Sequence, residues 1–146
     1  MKYKTVAATL ILFFAGCQGE RKISRQDEKS PHKTPHTVIA YYFHGNIRCH
    51  GCLQIEAMSA EAIKSGFEKA LQDGSLDWAV INKDQPGAES FVTDFQLDTS
   101  SLILTDTQNG ERLRWKKLDE VWELYQDKDA FTKYVQEEVA AYLKGI

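Results

Sequence analysis

The sequence has few cysteines, little net charge and no long apolar run, and each shortage excludes a class of protein. Three cysteines in 146 residues do not make a disulfide framework. A net charge of −3 without a basic stripe leaves no electrostatic footprint for a nucleic acid, so we expect no nucleic-acid partner. The apolar block at residues 6–15 is too short to span a bilayer as a helix. The length fits a single domain with a real hydrophobic core.

The first residues have the anatomy of a secretory signal. Lys2 and Lys4 precede the apolar block, which ends in Ala-Gly-Cys at Cys17. Small residues before a cysteine resemble the lipobox of bacterial lipoproteins, which are cut before the cysteine that then carries lipid. We therefore expect a lipoprotein-type signal peptide at 1–16, lipidation of Cys17 and a membrane-anchored, periplasm-facing place in the bacterial envelope. The alternatives are an ordinary cleaved signal with an incidental cysteine, or a buried element of the fold.

Residues 17–36 are polar, charged and nearly free of large apolar side chains. Such a stretch cannot bury a core, so it predicts a flexible linker. We interpret His32 and His36 as solvated linker histidines and not as metal ligands. The folded domain is expected at residues 37–146.

The folded part is organised around an apolar strand followed by Cys-x-x-Cys. Residues 38–43 are apolar, many of them β-branched or aromatic, which predicts a buried strand. After Cys52 the apolar residues recur at a near-helical spacing, so Cys49 and Cys52 are expected in the first turn of a helix. The free N–H groups and the positive end of the helix dipole favour a thiolate there. Cysteines in this setting generally have a lowered pKa, and the thiolate is the reactive form.

The downstream elements follow from turn and capping residues. Ser59 is a candidate N-cap that would divide the first helix in two, and Gly74 is expected to end the second of these helices. The order β-α-β-α-β-β-α predicts an α/β domain with one antiparallel hairpin. The supporting segments are a strand at 76–82, a short helix started by Pro86, a strand at 101–105, a hairpin turn at Asn109-Gly110, a return strand at 111–116 and a last helix capped by Asp127.

A strand that ends in aromatics, a short loop and Cys-x-x-Cys on a helix resemble the thioredoxin superfamily. More narrowly, the domain resembles small thioredoxin-like domains of bacterial envelope proteins in the stretches YYFHGNIRCHGC and IEAMSAEAI. The resemblance implies a central mixed sheet with helices on both faces. It also implies that Cys49 is the exposed nucleophile and Cys52 the more buried resolving thiol of a redox-active disulfide.

Three cationic or titratable side chains lie beside this motif. Arg48 and His50 are candidates for favouring the thiolate of Cys49 by their positive charge, the alternative being that both point to solvent. His44 lies in the preceding loop, where it either hydrogen-bonds the turn or serves as a metal ligand.

The domain departs from the thioredoxin pattern because it lacks the buried acid of the strand before the cysteines. Thioredoxins carry a buried Asp in the strand before the cysteines, and this strand has no carboxylate. Glu56 follows Cys52 by four residues and lies on the same helix face. It is either a replacement for the missing acid or an exposed helix glutamate.

A second departure concerns the substrate-contact loop, which we assign to Thr99 and Ser100. Thioredoxins have a cis-proline before the third strand, and Ser100 occupies that position here. A cis bond before serine would cost roughly 3 kcal/mol, so we expect a trans bond. Ordinary thioredoxin substrate binding is therefore not expected to carry over unchanged.

The predicted function is thiol–disulfide exchange with envelope proteins that carry thiols or disulfides, with a membrane electron donor if the protein reduces them. No cofactor and no resident metal are expected. One alternative is a binding protein that holds a soft metal such as Cu(I) through Cys49, Cys52 and a histidine. Another is a non-catalytic interaction domain with a structural disulfide. Zinc would need histidines, because no second Cys-x-x-Cys completes four ligands.

Overall fold

The structure, a computed structural model, describes residues 36–145. The predicted signal peptide, Cys17 and the linker up to residue 35 lie outside the described residues. Between residues 36 and 145 no helix is both long and apolar enough to cross a membrane. The elements in chain order are β1 His36–His44, α1 His50–Gly66, α2 Glu68–Asp73, β2 Leu76–Asn82, α3 Glu89–Asp94, β3 Ser101–Gln108, β4 Glu111–Lys117, α4 Val121–Leu124 and α5 Lys128–Lys144.

The four strands form one mixed sheet in the order β2-β1-β3-β4. β1 runs parallel to β2, and the remaining two pairings are antiparallel. The parallel pair is joined through α1 and α2, whereas β3 and β4 form a hairpin. This strand order with helices on both faces is the thioredoxin-like arrangement, so the predicted α/β fold is confirmed.

Alternation along β1 divides the core between the two faces of the sheet. Tyr42 belongs to the larger cluster, which includes buried residues of α1 and α5. Phe43 belongs to the smaller cluster, in which Phe91 and Phe95 come from α3 and its end. Neighbouring residues of one strand point to opposite faces, which is why a run of apolar side chains is needed here. The motif at the end of β1 is therefore supported by packed layers on both sides.

The predicted caps and turns are confirmed at three positions. Gly74 ends α2 with a left-handed φ of 78°. Asn109 and Gly110 have φ values of 55° and 80° in the β3–β4 hairpin, as a tight two-residue turn requires. The Asp127 side chain accepts a hydrogen bond of 3.1 Å from the N–H of Ala130 and so caps α5.

The predicted break at Ser59 is wrong, because α1 continues to Gly66 and the helices separate at Phe67. Ser59 is fully buried, in line with Ile55 before it and Ala62 after it. A serine costs a helix little, and the buried apolar residues before and after it stabilise the helix on both sides of this position.

Two boundaries and one helix also differ from expectation. β1 begins at His36, whose Nδ1 lies 3.1 Å from Oδ1 of the buried Asp106, so His36 is not a solvated linker residue. Pro86 does not start a helix; it lies in a turn that the Ala88 N–H closes on the Gln85 carbonyl, and α3 begins at Glu89. The short helix α4 was not predicted at all.

Candidate functional site

The two cysteines occupy the start of α1 and are joined by a disulfide. Cys49 is the N-cap residue, and the backbone N–H of Cys52 donates to its Sγ at 3.0 Å. Cys49 is exposed, whereas Cys52 is only 6% exposed. An incoming sulfur therefore reaches Cys49 first. A thiolate left there would receive the N–H bond of the helix N-terminus and its positive dipole end.

Tyr42 lies directly beneath the motif. Its hydroxyl donates a hydrogen bond of 2.6 Å to the backbone carbonyl of Cys52, and its side chain is fully buried. Burial is the largest cause that raises the pKa of Tyr42 to about 12, against a hydrogen bond from Ser100 that lowers it. The phenol is thus a permanent donor at neutral pH. No sequence pattern predicted a role for Tyr42 at the site, although it lies in the strand that precedes the cysteines.

Arg48 and Glu56 form an ion pair across the motif, with both side chains partly buried. Glu56 is therefore neither a free buried acid nor a fully exposed helix residue. Its negative charge offsets the positive charge of Arg48. Arg48 then stabilises a Cys49 thiolate less than an unpaired guanidinium would, while His50 is exposed at the first helical position.

His44 makes the local contact that was one of its two alternatives. Its Nδ1 lies 2.9 Å from the carbonyl oxygen of Gly45, as in a hydrogen bond that holds the turn. Across the described part of the chain, no three His, Cys, Asp or Glu side chains form a group able to hold a metal ion.

The loop before Cys49 is fixed to the end of β2. The N–H of Asn46 donates to Asp84 Oδ2 at 2.8 Å, and the Asn82 side-chain amide donates to Asn46 Oδ1 at 2.8 Å. The bond from Asn46 is the largest cause that lowers the pKa of Asp84. A Cβ on Gly45 would lie 2.9 Å from the same carboxylate, so glycine permits this close approach.

In the predicted substrate-contact loop, Thr99 is exposed and Ser100 is buried. Its peptide bonds are trans, as expected, since residues 36–145 contain no cis bond. The Ser100 carbonyl accepts a hydrogen bond of 3.2 Å from Nε1 of Trp122. That carbonyl is already engaged within the protein.

The short helix α4 and its end supply two aromatic rings that lie against the motif. A Cβ on Gly51 would lie 3.5 Å from Trp122 and 3.6 Å from Tyr125, so both rings pack over the turn between the cysteines. Neither residue was predicted to lie at the site; the signal for them is an aromatic segment between the hairpin and the last helix. Ile47 and Leu53, which are 91% and 50% exposed, flank the cysteines with apolar surface.

Comparisons with known proteins yield only distant structural likenesses. The sequence matches no family model and no curated protein. Among solved structures, the chain is similar to one described as a malarial protein, with 20% identity over 66% of this chain and 94% of that one and a TM-score of 0.40. It is also similar to thioredoxin-2, a component of the malaria parasite protein secretion machinery, with 19% identity over 62% of this chain and 82% of that one and a TM-score of 0.38.

Likenesses at this distance do not bear on activity. A Cys49–Cys52 disulfide with Cys-x-x-Cys spacing opens a helix that follows the first strand of a thioredoxin-like sheet. This arrangement fits a thiol–disulfide oxidoreductase.

Proposed function

We propose that this protein is a thiol–disulfide oxidoreductase that acts on proteins of the bacterial envelope. The observation that carries the proposal is the asymmetry of the disulfide, whose Cys49 sulfur is exposed and receives a helix N–H bond while Cys52 is buried behind it. Thiol–disulfide exchange needs one accessible sulfur and one that leaves or attacks from within the same molecule.

In the reduced protein the Cys49 thiolate attacks one sulfur of a partner disulfide, and the other partner sulfur leaves as a thiolate. The Cys52 thiolate then attacks Cys49 Sγ, which closes the internal disulfide and releases the second partner sulfur. In the reverse direction a partner thiolate attacks Cys49, and Cys52 leaves. The reaction needs no cofactor besides the two cysteines and the partner.

The envelope location is supported by the signal-like residues 1–16 and by Cys17, both outside the described residues. The exposed side chains of Ile47 and Leu53 beside Cys49 suit a protein partner, since exposed apolar surface commonly marks contact sites. If the protein reduces its partners, a membrane electron donor must restore its dithiol.

The test is disulfide reduction in an insulin-type turbidity assay, with the full-length protein in detergent and dithiothreitol as the reductant. We expect the wild type to accelerate the reduction and Cys49→Ser to abolish the acceleration. Cys17→Ser, a matched substitution away from the motif, should keep full activity. A wild-type rate equal to that of dithiothreitol alone, or an active Cys49→Ser variant, would contradict the proposal.

A further inference from the structure

We propose that Tyr42 is the positioning residue of the resolving cysteine: its hydroxyl holds the Cys52 backbone in place while the bond between Cys49 and Cys52 is broken. This inference rests on the proposed thiol–disulfide exchange and names a residue outside the Cys-x-x-Cys motif that serves it.

The hydrogen bond joins a central strand of the sheet to the first turn of α1. Tyr42 lies on β1, where it pairs with Val80 of β2 on one side and Leu102 of β3 on the other. Its hydroxyl reaches the Cys52 carbonyl at 2.6 Å from a fully buried position. A donor on a central strand has little freedom, so the carbonyl it holds is fixed relative to the sheet.

The hydrogen bond contributes more free energy in the internal disulfide, where Cys52 is already held, than in the mixed disulfide, where part of that free energy offsets the ordering of Cys52. In the internal disulfide, the sulfur–sulfur bond already holds Cys52 beside Cys49. In a mixed disulfide with a partner that bond is absent, and the first turn of a helix is where fraying begins. The hydrogen bond from Tyr42 then limits the motion of Cys52, so its sulfur stays within reach of Cys49 at a high effective concentration.

Tyr42 neither gives nor takes electrons or protons when the internal disulfide forms. The Cys52 thiolate attacks Cys49 Sγ, the Cys49–Cys52 bond forms, the bond from Cys49 to the partner sulfur breaks, and the partner leaves as a thiolate that takes a proton from water. Burial raises the pKa of Tyr42 to about 12, with a smaller raising effect from Glu56 and lowering effects from Ser100 and Arg48. The hydroxyl therefore remains a donor throughout and does not accept the Cys52 proton.

Ser100 extends the same connection to the predicted substrate-contact loop. Hydrogen bonding by its side chain lowers the pKa of Tyr42, and its own carbonyl accepts a hydrogen bond from Trp122. The phenol of Tyr42 therefore links the resolving cysteine to the loop that contains Ser100.

The experiment measures the equilibrium between the Cys49–Cys52 disulfide and glutathione in full-length protein that carries Cys17→Ser, so that only two thiols react. We expect Tyr42→Phe to lower the effective concentration of the two cysteines by about two- to fourfold, because the variant loses the full hydrogen bond from the internal disulfide and only part of its contribution from the reduced protein. The lifetime of the mixed disulfide with glutathione should rise in parallel. Tyr41→Phe is the matched control, because it removes a hydroxyl from the next residue, which packs in the other cluster.

A hydrogen bond with only a structural role is lost equally from the oxidised and reduced proteins, so it leaves this equilibrium unchanged. An unchanged equilibrium in a folded Tyr42→Phe variant would therefore overturn the inference. If that variant does not fold, Ser100→Ala decides: it should lower the effective concentration by a smaller factor, and no change would overturn the inference. A wild type that forms no mixed disulfide at all would instead refute the proposed function.

Discussion

At the scale of single residues, the two cysteines differ in what surrounds them. Cys49 is exposed at the helix cap, whereas Cys52 is buried and its backbone is hydrogen-bonded on both sides, by its N–H to Cys49 and by its carbonyl to Tyr42. A partner sulfur can attack only the sulfur that it can reach. The proposed roles of Cys49 as nucleophile and Cys52 as resolving thiol rest on this difference in access.

This assignment predicts the outcome of trapping with single cysteine variants. Cys52→Ser should accumulate mixed disulfides with envelope proteins, because the attacking thiol remains and the resolving one is gone. Cys49→Ser should accumulate few. Non-reducing gels of cells whose thiols have been acid-quenched measure both, with the double variant as the blank. The opposite pattern would reverse the two roles.

The ion pair between Arg48 and Glu56 predicts a shift in redox potential. Glu56→Gln removes the charge that offsets Arg48, so the unpaired guanidinium stabilises the Cys49 thiolate and the dithiol form. The disulfide then becomes the stronger oxidant, and the potential should become less negative by about 10 to 30 mV.

The matched control for this prediction is Glu61→Gln on the same helix. Glu61 is exposed and pairs with Lys128, so its replacement removes the same charge from another ion pair. Equilibration with glutathione measures both variants. Equal shifts in the two variants, or a more negative potential in Glu56→Gln, would show that the Arg48–Glu56 pair does not set the potential.

At the scale of elements, α1 combines the reactive turn with a long buried face. The helix runs from His50 to Gly66 without a break and packs against α5 and the sheet. Ser59 interrupts the apolar face, and among the described residues its hydroxyl has no hydrogen-bond partner. A buried hydroxyl without a partner costs free energy, so this position carries a stability deficit.

Ser59→Ala should therefore raise the free energy of unfolding by about 1 kcal/mol, through removal of the unpaired hydroxyl and a gain in helix propensity. Chemical denaturation of the oxidised protein measures the change. Ser65→Ala on the exposed side of the same helix changes propensity with much less burial and should give a smaller gain. A loss of stability in Ser59→Ala would mean that the hydroxyl has a favourable contact.

At the scale of the whole molecule, the chain enters the sheet at one end and the reactive turn lies at the other. β1 begins at His36 and ends at His44, and the motif follows within five residues. Nine residues of strand span about 30 Å, so the entry point and the disulfide are well separated. An anchor at Cys17 would join the domain at the end that is remote from its redox site.

Lipidation at Cys17 would attach the whole protein to a membrane. Cys17→Ser should move the protein from the membrane fraction to the soluble fraction without changing its redox activity. Cys49→Ser, the matched control, should stay with the membranes. Fractionation and mass spectrometry of the mature N-terminus measure both. A soluble wild type with an unmodified Cys17 would show that the anchor does not exist.

The sequence by itself determined the elements whose signals are local. The strand before the motif, the cysteines at a helix start, the Asn109-Gly110 turn and the Asp127 cap each depend on residues a few positions apart. Hydrophobic period and capping act over that distance, and these elements were predicted correctly. The trans bond before Ser100 was also predicted correctly, from the serine that occupies the position of the thioredoxin cis-proline.

Only the tertiary structure decided which side chains meet at the disulfide. Tyr42 reaches Cys52 across 10 positions, Arg48 reaches Glu56 across 8, and Trp122 reaches Ser100 across 22. Each contact joins different elements or spans the turn between them, so it depends on how α1, α4 and the sheet are packed. The residue pattern predicts the face of an element on which a side chain lies, but the packing of the elements selects its partner. For that reason the residues that contact the two cysteines could be identified only in the folded protein.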